Sequence, residues 1–204
     1  MKRIASIAAS LLAGALLFAA PASGQSAQEA SGLAQPQDDV WSHVINMSTA
    51  GSWDFNPAPH PRPALVATQG QSFQQALRVT AHHSANPWDM QATSSTGGNI
   101  ARGDTVLVMV FVRAQQAADG GSHLPVRLQL KAAPYTALVE STFDLSDQWK
   151  QLCMAGVAAQ DFPKDGSTVA LHLATGDQVV DLGPVFVFDF GQNYDQGRLP
   201  HCAS

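Results

Sequence analysis

The sequence predicts an all-β fold, a jelly-roll β-sandwich of two antiparallel sheets with about nine strands. Three observations predict it. Short runs with a period of two recur through the body of the chain, and clusters rich in Gly and Asp separate them. Beyond the N-terminus, no segment keeps a helical period for more than about two turns.

The runs read as strands at 76–81, 88–92, 105–114, 125–132, 138–145, 149–157, 168–175, 178–182 and 184–190. Gly97-Gly98, Asp119-Gly120-Gly121, Lys164-Asp165-Gly166 and Thr175-Gly176-Asp177 supply turns between them. Alternation is cleanest at 124–131, where Val126, Leu128 and Leu130 face one way and Arg127, Gln129 and Lys131 the other. Val169, Leu171 and Leu173 repeat the pattern against His172. Residues 105–112 are apolar on both faces, which predicts a central strand covered on both sides. The proline-alternating segment 56–63 lacks the amide donors of a helix or an inner strand and reads as an extended surface loop.

The first residues have the pattern of an export signal. Lys2 and Arg3 precede an Ala/Leu-rich run at 4–20, and Ala20-Pro21-Ala22 offers small residues for cleavage. The domain reading is therefore a signal peptide at 1–22, a disordered Gln/Ala/Ser-rich linker at 23–38 and a sandwich domain at 39–204. It implies a secreted or periplasmic protein that leaves the membrane once the signal is removed. Without Lys2 and Arg3 the chain carries 9 basic against 16 acidic residues, a formal charge of −7. That balance argues against nucleic acid or an anionic membrane surface as partner, since both reward clustered Lys and Arg. The charged fraction, 13%, favours an uncharged ligand.

Two cysteines, Cys153 and Cys202, form an even pair in an oxidising compartment and read as a disulfide tying the C-terminal tail to a core strand. The alternative is a buried thiol at Cys153 with Cys202 unpaired.

The block at 76–81 followed by Asn86-Pro87-Trp88-Asp89-Met90-Gln91 resembles the carbohydrate-binding modules of the family 4, 9 and 22 type, galactose-binding-like jelly rolls. Further matches follow in order. They are Ile100-Ala101-Arg102-Gly103-Asp104 before a long apolar strand, Leu128-Gln129-Leu130 before Pro134-Tyr135, and Asp147-Gln148-Trp149-Lys150. Asp181-Leu182-Gly183-Pro184-Val185 with Phe188-Asp189 completes the set, which spans roughly residues 66–191. The Asn-Gly/Glu-Phe-Glu opening common in those modules, near which many hold a structural calcium ion, is absent here. The resemblance implies a cleft near Trp88, Tyr135 and Glu140, carbohydrate as partner, and a separate glycoside hydrolase as a possible associate.

Sugar chemistry suits these residue types. A pyranose has an apolar C–H face and a rim of hydroxyls, so a receptor needs a flat aromatic and planar amide or carboxylate groups. Trp88 and Tyr135 are the aromatic candidates; Gln91, Gln129, Arg127 and Glu140 are the hydrogen-bonding ones, with Asn86 and His172 behind them. Trp41, Trp53 and Trp149 are assigned to packing, because large aromatics are usually buried. Asp189, after an apolar strand, is a candidate calcium ligand or salt-bridge partner.

An enzyme has less support. His82-His83, His123 and His172 lack metal-ligand spacing, and no Gly-x-Ser-x-Gly elbow, P-loop or dinucleotide fingerprint occurs. Glu140 with Asp144, Asp147 or Asp89 offers a glycosidase-type pair. The sequence reading is thus an exported, non-catalytic carbohydrate binder. A small glycoside hydrolase or polysaccharide lyase is the alternative, and a structural or adhesive envelope protein the second.

Overall fold

A computed structural model describes residues 39–202. The expected signal peptide and linker lie outside them. Eleven strands occur among the described residues: β1 (Val44–Ser48), β2 (Asp54–Asn56), β3 (Ala64–Ala67), β4 (Gln75–Ala81), β5 (Gln91–Ser95), β6 (Asp104–Gln116), β7 (Ser122–Leu130), β8 (Ala137–Leu145), β9 (Lys150–Val157), β10 (Ser167–His172) and β11 (Gln178–Gln192). One sheet runs β3-β4-β11-β6-β9, with β1 also paired to β11; the other runs β2-β5-β10-β7-β8. Every pairing is antiparallel. The architecture is the two-sheet sandwich that alternation implied.

The period of two decides which face is inside. Val106, Val108, Val110 and Val112 of β6 and Val180, Leu182, Val185 and Val187 of β11 meet Leu124, Val126 and Leu128 of β7 and Val169 and Leu171 of β10 in one buried core. The opposite face of β6 is also covered, as its apolar composition implied. There Leu107 and Met109 join Phe188, Phe190 and Leu199 in a second apolar layer, with Val40, Val44 and Tyr194 against it. Val40 from the first described residues and Tyr194 and Leu199 from the last thus cover this face of the six-stranded sheet. The Cys153–Cys202 disulfide fastens the C-terminal end there, with 5.9 Å between the Cα atoms.

Four expectations need correction. Trp88 is not in a strand: Pro87–Asp89 is a 3-10 turn and β5 begins at Gln91. The expected strands 178–182 and 184–190 are one strand with a register shift between Leu182 and Val185. Pro184 falls in that break, where its missing amide costs no ladder bond. Strands β1 to β3 were not anticipated, because they are short and carry no clear alternation. Trp41, assigned to packing, is 61% exposed and lies over Phe186 and Phe188 at 5.5 and 5.8 Å. Trp53 is buried as expected and donates its Nε1 proton to the Gly183 carbonyl at 3.0 Å.

Candidate functional site

The outward face of the five-stranded sheet gathers the polar residues. Gln91 of β5 pairs with His172 of β10; across β7, Arg127 pairs with Ala170 on one side and Glu140 of β8 on the other; Gln129 pairs with Thr168. Because these residues alternate with core positions, all of them point away from the core. Ala170 and Thr168 of β10 are short and buried, and the longer Arg127 and Gln129 stand beside them on β7.

Two adjoining depressions form a trough. One, about 440 Å³, is lined by Trp88, Gln91, Arg127, Gln129, Tyr135 and His172, with Pro134. The other, about 360 Å³, shares Trp88, Arg127 and His172 and extends over Pro125, Glu140, Ser141 and Thr142. All six residues singled out from the sequence line one depression or the other.

Trp88 is presented by a stiff turn. Asn86 and Asp89 close a reciprocal cap around Pro87–Asp89, the Ala174 amide donates to the Pro87 carbonyl at 3.2 Å, and Gln91 donates its Nε2 to the Trp88 carbonyl at 3.1 Å. The indole remains 54% exposed. It meets the His172 ring edge-on at 6.2 Å. Asn86, expected behind the ligand residues, serves as the cap and does not line the trough.

Tyr135 flanks the trough from the turn after β7. Its amide donates to the Ala132 carbonyl at 2.9 Å, and its backbone lies in the left-handed region at φ 55°. For a tyrosine that conformation costs on the order of 1–2 kcal/mol. The ring is 51% exposed, so burial of the ring does not offset the cost.

Gln129 is 5% exposed, yet its Oε1 has no hydrogen-bond partner. An unmet buried carbonyl costs about 1–3 kcal/mol, which a donor from a ligand would recover. Arg127 Nε lies 2.9 Å from Glu140 Oε2, an ion pair whose angle falls outside hydrogen-bond range. His172 was placed behind the ligand residues by the sequence; the structure puts it in both depressions. Burial first, and then the positive charge of Arg127, lower its pKa to about 4, with Glu140 only partly opposing them. At neutral pH its ring is therefore uncharged, with one donor and one acceptor nitrogen. Sequence reasoning missed Pro125, Ser141 and Thr142, and no local signal marked them.

Asp189 does not face this trough. Its Oδ1 accepts from the Gly191 amide at 2.9 Å, while nearby Asp104 accepts from the Ala101 amide at 2.6 Å. Burial, with the negative charge of Asp104 beside it, raises the Asp189 pKa. Among the described residues no group of three or more His, Cys, Asp or Glu side chains converges to hold a metal ion.

No protein-family model matches the sequence, and no curated protein matches it. Solved structures do match. The chain is similar to a family 4 carbohydrate-binding module at a TM-score of 0.53 and 16% identity, over 68% of this chain and 95% of that one. It is similar to the second N-terminal cellulose-binding domain of β-1,4-glucanase C from Cellulomonas fimi at 0.52 and 18%, over 72% and 91%. An arabinose-bound α-L-arabinofuranosidase matches at 0.51 and 14%, over 71% of this chain and 25% of that longer one. At such identities the likeness is one of fold: the chain has the jelly-roll fold of carbohydrate-binding modules.

Proposed function

We propose that this chain is an exported, non-catalytic carbohydrate-binding protein that lays a neutral poly- or oligosaccharide along the trough of its five-stranded sheet. One observation carries the reading: two half-exposed aromatics, Trp88 and Tyr135, flank a floor in which Gln129 keeps a buried acceptor without a donor. In this reading the rings stack on sugar C–H faces, and Gln91, Gln129 and His172 meet hydroxyls. Arg127 and Glu140 neutralise one another, which favours an uncharged sugar over a uronic acid. A single site of this kind binds with a Kd on the order of 10–100 µM, or about −5.5 to −7 kcal/mol.

The lining supports binding over hydrolysis. Glycosidases flank the scissile bond with two carboxyl groups, and Glu140 is the only acid lining either depression. A disulfide supports an oxidising compartment and hence export. No helix among the described residues is long and apolar enough to cross a membrane. The protein would act alone or beside a separate glycoside hydrolase. No metal enters the reading; Asp189 and Asp104 each accept a bond from a backbone amide.

The test is a glycan array with wild type, Trp88→Ala and Gln129→Ala, combined with a reducing-end assay. Binding in the wild type, lost in both variants and without product release, supports the proposal. Release of reducing ends would favour the hydrolase, and silence on every glycan would favour a structural envelope protein.

A further inference from the structure

A second cluster of aromatic and amide side chains lies away from the trough, where β9 forms an edge of the six-stranded sheet. Trp149 stands immediately before β9. The sequence assigned it to packing, and part of it does pack: Phe73 meets its ring edge-on at 5.1 Å, and the Arg113 guanidinium lies over it at 5.2 Å. Yet the residue is only half-buried, and it lines two adjoining depressions of about 510 and 600 Å³, both of which also include Gln71. Gln69, Gln115 and Gln148 line the smaller and Gln151 the larger. Neither depression shares a lining residue with the trough.

Both cations here are already bonded, and the one acid of the lining, Asp147, accepts from Gln148 at 3.3 Å. Arg113 donates to Asp181 at 2.9 Å, and Lys150 donates its Nζ to the Asp144 carbonyl at 2.7 Å. The glutamines make only weak or local bonds. Gln151 reaches the Met109 sulfur at 3.4 Å, Gln148 the neighbouring Asp147 carboxylate at 3.3 Å and Gln71 the Gly70 carbonyl at 3.1 Å. Each amide carries two donors and an acceptor in one plane, so together they offer far more hydrogen-bonding capacity than the fold consumes. An indole ringed by uncharged amides, with its cations occupied, matches a neutral polyhydroxylated ligand.

We infer that the Trp149 cluster is a second oligosaccharide-binding site, and that the chain bridges two glycan strands. The two sites share no lining residue, so each can hold its own strand. Bridging would give retention on insoluble polysaccharide well beyond either site alone.

The experiment follows the indole Nε1–H resonances of Trp88 and Trp149 during titration with cellohexaose, xylohexaose and mannohexaose, alongside calorimetric stoichiometry. Both resonances are expected to shift with at least one sugar, at two equivalents per chain. Trp149→Ala should remove one equivalent and leave the Trp88 response unchanged. Because that variant also loses packing, Gln71→Ala/Gln148→Ala serves as a surface control; it should weaken the second site about fivefold or more with an unaltered melting temperature. A Trp149 signal unmoved by all three sugars at about 10 mM, or unaltered stoichiometry in Trp149→Ala, overturns the inference. A silent Trp88 beside a responsive Trp149 would instead sink the trough reading and the bridging with it, while sustaining the Trp149 site.

Discussion

His172 ties the candidate site to acid sensitivity. Its folded pKa is held at about 4 by burial first, then by the positive charge of Arg127, against the opposing pull of Glu140. In the unfolded chain a histidine titrates near 6.5, so the difference is about 2.5 units, or about 3 kcal/mol at 1.36 kcal/mol per unit. The sign follows from which state holds the proton more weakly. Folding favours the neutral ring, so the contribution is whole above pH ~6.5, fades as the pH falls towards ~4 and is gone below it. The perturbation is His172→Gln, which keeps a planar polar group beside Trp88 but cannot titrate. Urea unfolding of both proteins between about pH 7.5 and 4 gives the answer. Wild type is expected to lose about 3 kcal/mol more than the variant across that window. Acid losses at other groups, such as the Asp181 cluster, are common to both proteins and cancel. Parallel stability curves, or a His172 ring resonance titrating near 6.5, would refute the reasoning.

Four further outcomes follow from the structure. Asp181 is fully buried; burial by itself would raise its pKa, but hydrogen bonds from Arg78 at 2.7 and 2.9 Å and from Arg113 at 2.9 Å outweigh it and lower it. Asp181→Asn should destabilise by about 2–3 kcal/mol in denaturant melts, a figure discounted because both arginines remain about a third exposed. Removing both cysteines should cost about 4 kcal/mol for a closed loop of 49 residues, and a loss below about 1 kcal/mol would mean the tail holds without the bond. Gly183→Ala would drive a methyl to within 2.9 Å of Phe111 Cβ and Phe73 Cζ beside the β11 bulge; a loss of about 1–3 kcal/mol is expected from thermal melts. A chelator should leave the melting temperature unchanged, and a drop reversed by added calcium would assign an ion to Asp104 and Asp189.

Much of the site was legible because strand alternation is local. Arg127 and Gln129 had to face away from Val126 and Leu128 whichever neighbours β7 acquired, since successive side chains leave opposite faces of a strand. The same rule set Val169 and Leu171 inward. Strand ends were less legible. Gly183-Pro184 reads as a terminator, yet a register shift absorbs it and β11 runs on to Gln192. Asn86-Pro87 before Trp88 is a turn signal that the alternation of Trp88, Met90 and Ala92 obscures.

The sequence by itself determined that this chain forms a two-sheet β fold, which side of each clear strand is polar, and which residue types are at hand for a sugar. Tertiary structure alone decided which of those polar sides meet. Pairing order joins residues far apart in the chain: Arg127 finds Glu140 through β8, and Gln91 finds His172 through β10. It also decided that Trp149 is left half-exposed among glutamines drawn from several segments. Alternation is a property of one strand, whereas a trough belongs to several strands in register, and register is set by the core they bury together.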